Sequence, residues 1–176
     1  MTYASYITTL RIILILPIIL CMSFSFEFVA LFLFILAGLT DYLDGYIARR
    51  TRTETSLGAL LDLLADKLLI CLVLLWCTFL SDSLFVLIAT LLIVSRELII
   101  SSLRQFLVEM TGENPLKVTY IAKSKTTMQI IAISFLIICP QMGPFFNFLS
   151  VLLLWISALM SIYTLYNYLK SYSYHF

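Results

Sequence analysis

Residues 28–66 read FVALFLFILAGLTDYLDGYIARRTRTETSLGALLDLLAD. An apolar run of membrane-span length ends in Asp41 and Asp44, and after a basic loop a second apolar run opens with Asp62 and Asp66 set among leucines. Ionisable groups within membrane segments are costly and by default mark a functional site. Asp41 and Asp44 are spaced i,i+3, and Asp62 and Asp66 i,i+4, so on helices each pair projects from one face. The short connection 49–56 predicts that the two spans are antiparallel neighbours, with both pairs converging at one end of the hairpin.

The rest of the 176-residue chain fits a membrane reading. Apolar and aromatic residues make up 62% of it and charged residues 12%, about half the ~25% of a soluble domain. A soluble protein this small could not hide so much apolar surface, so its solvent is lipid. The expected fold is an all-α integral membrane protein forming one domain over 1–176. Six spans are read, roughly 8–24, 28–47, 57–80, 84–107, 125–139 and 145–169. The first and fifth are short and are expected to extend into the interface. Arg11 and the apolar run after it have no small-residue cleavage site and precede further spans, so they read as a first membrane helix and not as a signal peptide. The net charge of +1 does not point to nucleic acid as a partner. Cys21, Cys71, Cys77 and Cys139 all sit in apolar runs without a CxxC and read as small apolar residues. His175 is the single histidine, so histidine chemistry is not expected.

Positive charge orients the spans. Six spans put both termini and the loops near 49–56 and 110–124 on one side. All eleven Lys and Arg fall toward that side, and the other has only Glu27 and Asp82. By the positive-inside rule the basic side is cytoplasmic, and the four aspartates lie there too.

Four converging carboxylates cannot all stay ionised without counter-charge, and no set of four bases matches them on the same faces. A single buried Asp could simply cap a helix, but four at these spacings inside apolar helices call for another explanation. Hard divalent cations accept all-oxygen sites. Two cations bridged by carboxylates would suit phosphoryl transfer, where metals stabilise attacking and leaving oxygens. Gly45 and Gly58 remove side-chain bulk beside the carboxylates, and Arg49, a turn beyond Gly45, could contact phosphate.

The pattern Asp41-x-x-Asp44-Gly45-x-x-Ala48-Arg49, eight residues, then Gly58-x3-Asp62-x3-Asp66 resembles the signature of the CDP-alcohol phosphotransferases at every fixed position. The resemblance implies a six-helix membrane fold, usually homodimeric, with an active-site cavity facing the cytoplasm. It implies two divalent ions, Mg2+ or Mn2+, held by the four aspartates, and release of CMP. It also assigns Gly45, Ala48, Arg49 and Gly58 to the CDP site and Asp66 to the catalytic base; the residues read alone do not choose among the four aspartates.

Ser95-Arg96-Glu97-Leu98, Leu103-Arg104 and Lys123-Ser124-Lys125-Thr126-Thr127-x-Gln129 are similar to one branch of that family, the bacterial phosphatidylglycerophosphate synthases, as is Thr8-x-x-Arg11. That branch usually has Pro-Asn where Ala4 and Ser5 stand, and Gly where Ala122 stands. The likeness implies CDP-diacylglycerol as donor and sn-glycerol 3-phosphate as acceptor, in a bacterial inner membrane. Arg96, Arg104, Lys123 and Lys125 form a second cluster suited to the acceptor phosphate, which a neutral or zwitterionic acceptor would not need. Two alternatives stand beside it. One is another member of the family, of cardiolipin, phosphatidylserine or phosphatidylinositol type. The other is a divalent-cation or proton transporter, although transporters often repeat broken helices in two related halves, and no second half echoes these aspartates.

Overall fold

A computed structural model describes the backbone of residues 3–51, 56–111 and 120–173, and the side chains of 9–40, 64–103, 105–106 and 124–170. Six helices follow one another: α1 (Tyr3–Ser23), α2 (Glu27–Thr51), α3 (Ser56–Ser81), α4 (Leu84–Thr111), α5 (Tyr120–Met142) and α6 (Pro144–Ser173). No strand occurs among the described residues. The six apolar runs of the sequence thus become six helices. As expected, α1 and α5 outrun their apolar cores, beginning at Tyr3 and Tyr120. Pro140, just beyond the fifth apolar run, lies inside the last turn of α5. A proline there removes one backbone N–H near a helix end without preventing the final residues from staying helical.

Three of the connections are very tight, and each turns on one left-handed residue. After α1, Ser25 has φ 58°. Its N–H donates to the Met22 carbonyl at 3.3 Å, and that of Phe26 to Cys21 at 2.8 Å. This is the paired bonding of a Schellman cap, which satisfies carbonyls that the helix end leaves open. Asp82, at φ 45°, turns α3 into α4. Gly143, at φ 87°, turns α5 into α6, and Pro144 follows at the first helical position, where its missing N–H costs nothing. The chain is therefore three helical hairpins, with the three tight turns at one end. The C-terminal end of α2 and the N-terminal end of α3, where the aspartates fall in the sequence, lie at the other end.

Packing departs from the simplest hairpin picture. Helix α1 packs against both α2 and α3, and α5 against α6, α2 and α3, while α4 packs against α6 and α3. Among the described residues α2 and α3 touch each other only slightly. Spans two and three are antiparallel and in contact, as expected, but among the described residues each packs mainly against other helices. A short loop limits how far apart two helix ends can lie but does not make their faces pack, and α1 and α5 take the contact instead. Ile15, Ile18, Phe34, Ala37, Val73, Ile93, Ile133 and Leu154 belong to one core shared by all six helices. Between α3 and α4 the hydroxyls of Thr78 and Thr90 are 2.7 Å apart, a polar link of the kind that holds helices together in lipid.

The outer surface is apolar. Ile13, Phe32, Phe79, Phe85, Phe145 and Leu159 are all exposed, an arrangement that water would penalise and acyl chains accept. Leu64–Ser81, Leu84–Leu103, Ser124–Met142 and Pro144–Lys170 are each long and apolar enough to cross a bilayer. Among the described residues, Thr9–Ser23 and Glu27–Thr40 are shorter apolar stretches. The four cysteines are free thiols, Cys77 buried and the others half-buried.

Candidate active site

Asp66 lies ten residues into α3, about 15 Å along the axis from the first residue of the helix at ~1.5 Å per residue. That depth puts a carboxylate well inside an apolar helix, between Ala65 and Leu69, both buried in the protein interior. Two cavities meet at this residue.

The larger has a volume of about 280 Å³ and runs between α1, α2, α3 and α5. Its walls are largely apolar, with Phe34, Leu39, Leu69 and Ile130 among them, and its polar groups include Arg11 and Asp66. Gly38 is also in the wall, and a Cβ added there would meet no atom within 4 Å, so the absent side chain widens the space. The weak contact between α2 and α3 leaves room for this cavity. Ile35 and Leu39, also in its wall, are exposed at the outer surface of α2, so it borders the lipid-facing side of the molecule.

The smaller cavity is a recess of about 40 Å³ between α3, α4 and α5. Among the described residues it is lined by Asp66, Lys67, Glu97, Lys125, Thr126 and Gln129, with Ile70 the one apolar residue. Behind it lies a buried ion cluster. Glu97 accepts from Nη1 of Arg96 at 3.2 Å and from Nζ of Lys125. Arg96 also donates through Nη2 to Oγ1 of Thr164 on α6 at 2.9 Å. Arg96 and Lys125 are only 6% and 4% exposed, and charges so buried persist only when paired. Two cations and one carboxylate leave the cluster with net positive charge beside the recess. Gln129 sits one turn beyond Lys125 on the same face of α5 and is almost fully buried.

The sequence-derived candidates divide as follows. Asp66 and Lys125 come together at the recess. Arg96 is in the same cluster but lines neither cavity, since its guanidinium is turned to Glu97 and Thr164. Asp41, Asp44, Gly45, Ala48 and Arg49 lie on the helical backbone of α2, and Gly58 and Asp62 on that of α3. Their side chains, and those of Arg104 and Lys123, lie outside the described residues, as does all of His175. Among the described residues no three His, Cys, Asp or Glu side chains gather as a metal site; three of the four aspartates are not in that set.

Three residues gain a place that sequence reading had not given them. Glu97 holds Arg96 and Lys125 together. The signal was present, because an acid next to an arginine in a membrane span must find a partner. Arg11 is fully buried in the wall of the larger cavity, and Gln129 lines the recess. Both stood in quoted motifs, Thr8-x-x-Arg11 and Lys123 to Gln129, without an assigned role.

Residues 1–163 match the family model of the CDP-alcohol phosphatidyltransferases. A Haemophilus influenzae protein named CDP-diacylglycerol–glycerol-3-phosphate 3-phosphatidyltransferase is 31% identical over 168 residues, covering 94% of this chain and 90% of its own. A Rickettsia bellii protein of the same name is 39% identical over 141 residues, covering 79% and 76%. An Escherichia coli K12 protein, again of that name, is 31% identical over 144 residues, covering 82% and 78%.

Proposed function

The chain belongs to the CDP-alcohol phosphatidyltransferase family, and from that premise we propose that it transfers the phosphatidyl group of CDP-diacylglycerol to sn-glycerol 3-phosphate. The observation that carries the proposal is the position of Asp66, where an apolar cavity bordering the lipid side meets a polar recess that holds Lys67 and Lys125. The reaction needs this junction, because one substrate is a lipid and the other a small anion. The larger cavity suits the diacylglycerol end of the donor, with Arg11 near its phosphates. The recess and its lysine suit the acceptor.

In the proposed reaction the acceptor's 1-hydroxyl oxygen attacks the β-phosphorus of CDP-diacylglycerol. A new P–O bond forms, the bond to the bridging oxygen of CMP breaks, and CMP leaves with that electron pair. Asp66 takes the hydroxyl proton. It lines both cavities, so it can face the attacking oxygen and the phosphorus together. Gly45, Ala48, Arg49 and Gly58 hold the CDP group by their match to the family motif. Lys125, with Lys123 and Arg104, takes the acceptor phosphate, and Arg96 supports Lys125 through Glu97.

Asp41, Asp44, Asp62 and Asp66 fit two divalent ions, Mg2+ or Mn2+. All four are hard oxygen donors, and the helical backbone of α2 through Thr51 and of α3 from Ser56 keeps each pair on one face. When bound, such ions neutralise charge on the pyrophosphate and on the departing CMP.

CMP release from CDP-diacylglycerol, measured with a panel of acceptors, tests the assignment. Glycerol 3-phosphate is expected to be the preferred acceptor. Preference for serine, inositol or phosphatidylglycerol would move the chain to another branch of the family, and cation flux in proteoliposomes without CMP release would remove it from transferase chemistry.

We further propose that all six helices span a bacterial inner membrane as one domain, with both termini and the aspartates cytoplasmic, and that the chain pairs as a homodimer. The shared core supports the single domain. The one-sided basic residues support the orientation, and the family resemblance supports the pairing. Single cysteines placed at Ser5 and Ser173 in a variant without the native cysteines are expected to resist an impermeant thiol reagent in intact cells and to react after lysis. Efficient labelling from outside at either position would invert the topology.

A further inference from the structure

Gln129 raises a question that the ion cluster does not answer. Its side chain is 1% exposed, and its Nε2 has no hydrogen-bond partner among the described residues. Burying an amide N–H without a partner is costly, and the cost is higher in a membrane helix, where bulk water is excluded. An apolar residue of the same length would serve the packing better if packing were the only demand. The amide therefore points to a partner that arrives from outside the chain.

The surroundings narrow the chemistry of that partner. Gln129 lines the small recess with Asp66, Lys67, Glu97, Lys125 and Thr126. The recess, at about 40 Å³, holds a polar fragment of a few heavy atoms and not a nucleotide or an acyl chain. Lys125 is four residues earlier on α5 and shares its face, so an anion at Lys125 and a group at Gln129 would lie about one helical turn apart, ~6 Å. Asp66 faces the same recess from α3. An amide N–H donor that shares a recess with a lysine suited to phosphate and with a carboxylate suits a hydroxyl on the carbon between the phosphate and the reacting hydroxyl.

We propose that Gln129 is a specificity-determining residue that donates through Nε2 to the 2-hydroxyl of the acceptor. This rests on the reading of the chain as a glycerol 3-phosphate transferase. In that role Gln129 selects a vicinal diol phosphate and turns its terminal hydroxyl toward Asp66. The chemical step stays with Asp66, and Gln129 acts on acceptor choice.

The test compares glycerol 3-phosphate with 3-hydroxypropyl phosphate, which has the same terminal hydroxyl and phosphate but lacks the 2-hydroxyl. In wild-type protein, kcat/KM for CMP release is expected to favour glycerol 3-phosphate by about 10- to 100-fold, the scale set by one unpaired buried donor. In Gln129→Met, which keeps the length of the side chain, the preference is expected to collapse to within about threefold by loss of activity on glycerol 3-phosphate alone. Gln129→Glu removes the donor and keeps the shape, and the same collapse is expected there; it serves if the methionine variant does not fold. A retained preference, or equal loss on both acceptors, overturns the proposal. So does a wild type that turns over both acceptors equally well, which leaves the parent reading intact. Absence of CMP release from wild-type protein with glycerol 3-phosphate overturns the parent reading and this one with it.

Discussion

Asp66→Asn is expected to lower the rate of CMP release by at least about 10³-fold, within the range that a positioned general base supplies. The substitution changes one oxygen to nitrogen and leaves the volume of the side chain almost unaltered. Asp66 sits between buried Ala65 and Leu69 and faces two cavities, so the change removes charge and basicity without opening a hole in the core. The variant should insert, and its melting temperature in detergent should stay near that of the wild type. Asp62→Asn, one turn earlier on the same face of α3, should be equally inactive because it depletes the same set of oxygen donors. A divalent-cation chelator should silence the wild type reversibly, with Mg2+ or Mn2+ restoring it, and should do nothing further to either variant. Near-normal turnover in Asp66→Asn, or in the presence of chelator, would place the chemistry elsewhere in the molecule.

Lys125→Met should raise KM for glycerol 3-phosphate by about 10- to 100-fold, the worth of a hydrogen bond to a charged group. KM for CDP-diacylglycerol should change little, because the lysine lines the recess and not the larger, apolar cavity. Arg96→Leu supplies the contrast. Arg96 is turned toward Glu97 and Thr164, so its loss strips a partner from a buried carboxylate, a change that costs about 3 kcal/mol. That cost should appear as a lower melting temperature in detergent, with a smaller change in acceptor KM than Lys125→Met produces. Equal effects of the two substitutions on KM would mean that both bases hold the acceptor directly. Equal loss for both substrates in Lys125→Met would reduce the lysine to a structural role.

Much of this protein is legible in its sequence because lipid simplifies the code. A spanning segment must satisfy its own backbone, so a long apolar run can only be a helix. Runs such as 57–80 and 84–107 became α3 and α4 with boundaries shifted by a few residues. The aspartates were legible for the same reason. Asp62 and Asp66 stand out among leucines because nothing in an apolar helix explains a carboxylate, and spacing alone puts them on one face.

Other features depend on which helices meet, and local pattern does not encode that. The short loop after α2 makes α2 and α3 neighbours, but among the described residues α1 is the main partner of both, and a cavity opens where the two nearly part. Arg96 and Lys125 looked alike as bases near an active site, but Glu97 and Thr164 turn one away while the other lines the recess. Gln129 was one letter in a motif until burial left its amide without a partner among the described residues. The helices, the lipid solvent and the shared faces of the aspartates are readable without tertiary structure, because each follows from the energy of a residue in its own segment. Which charges neutralise one another and which face a cavity follows from the groups that neighbouring helices bring to each buried charge, as α5 and α6 do for Glu97 and Arg96 on α4.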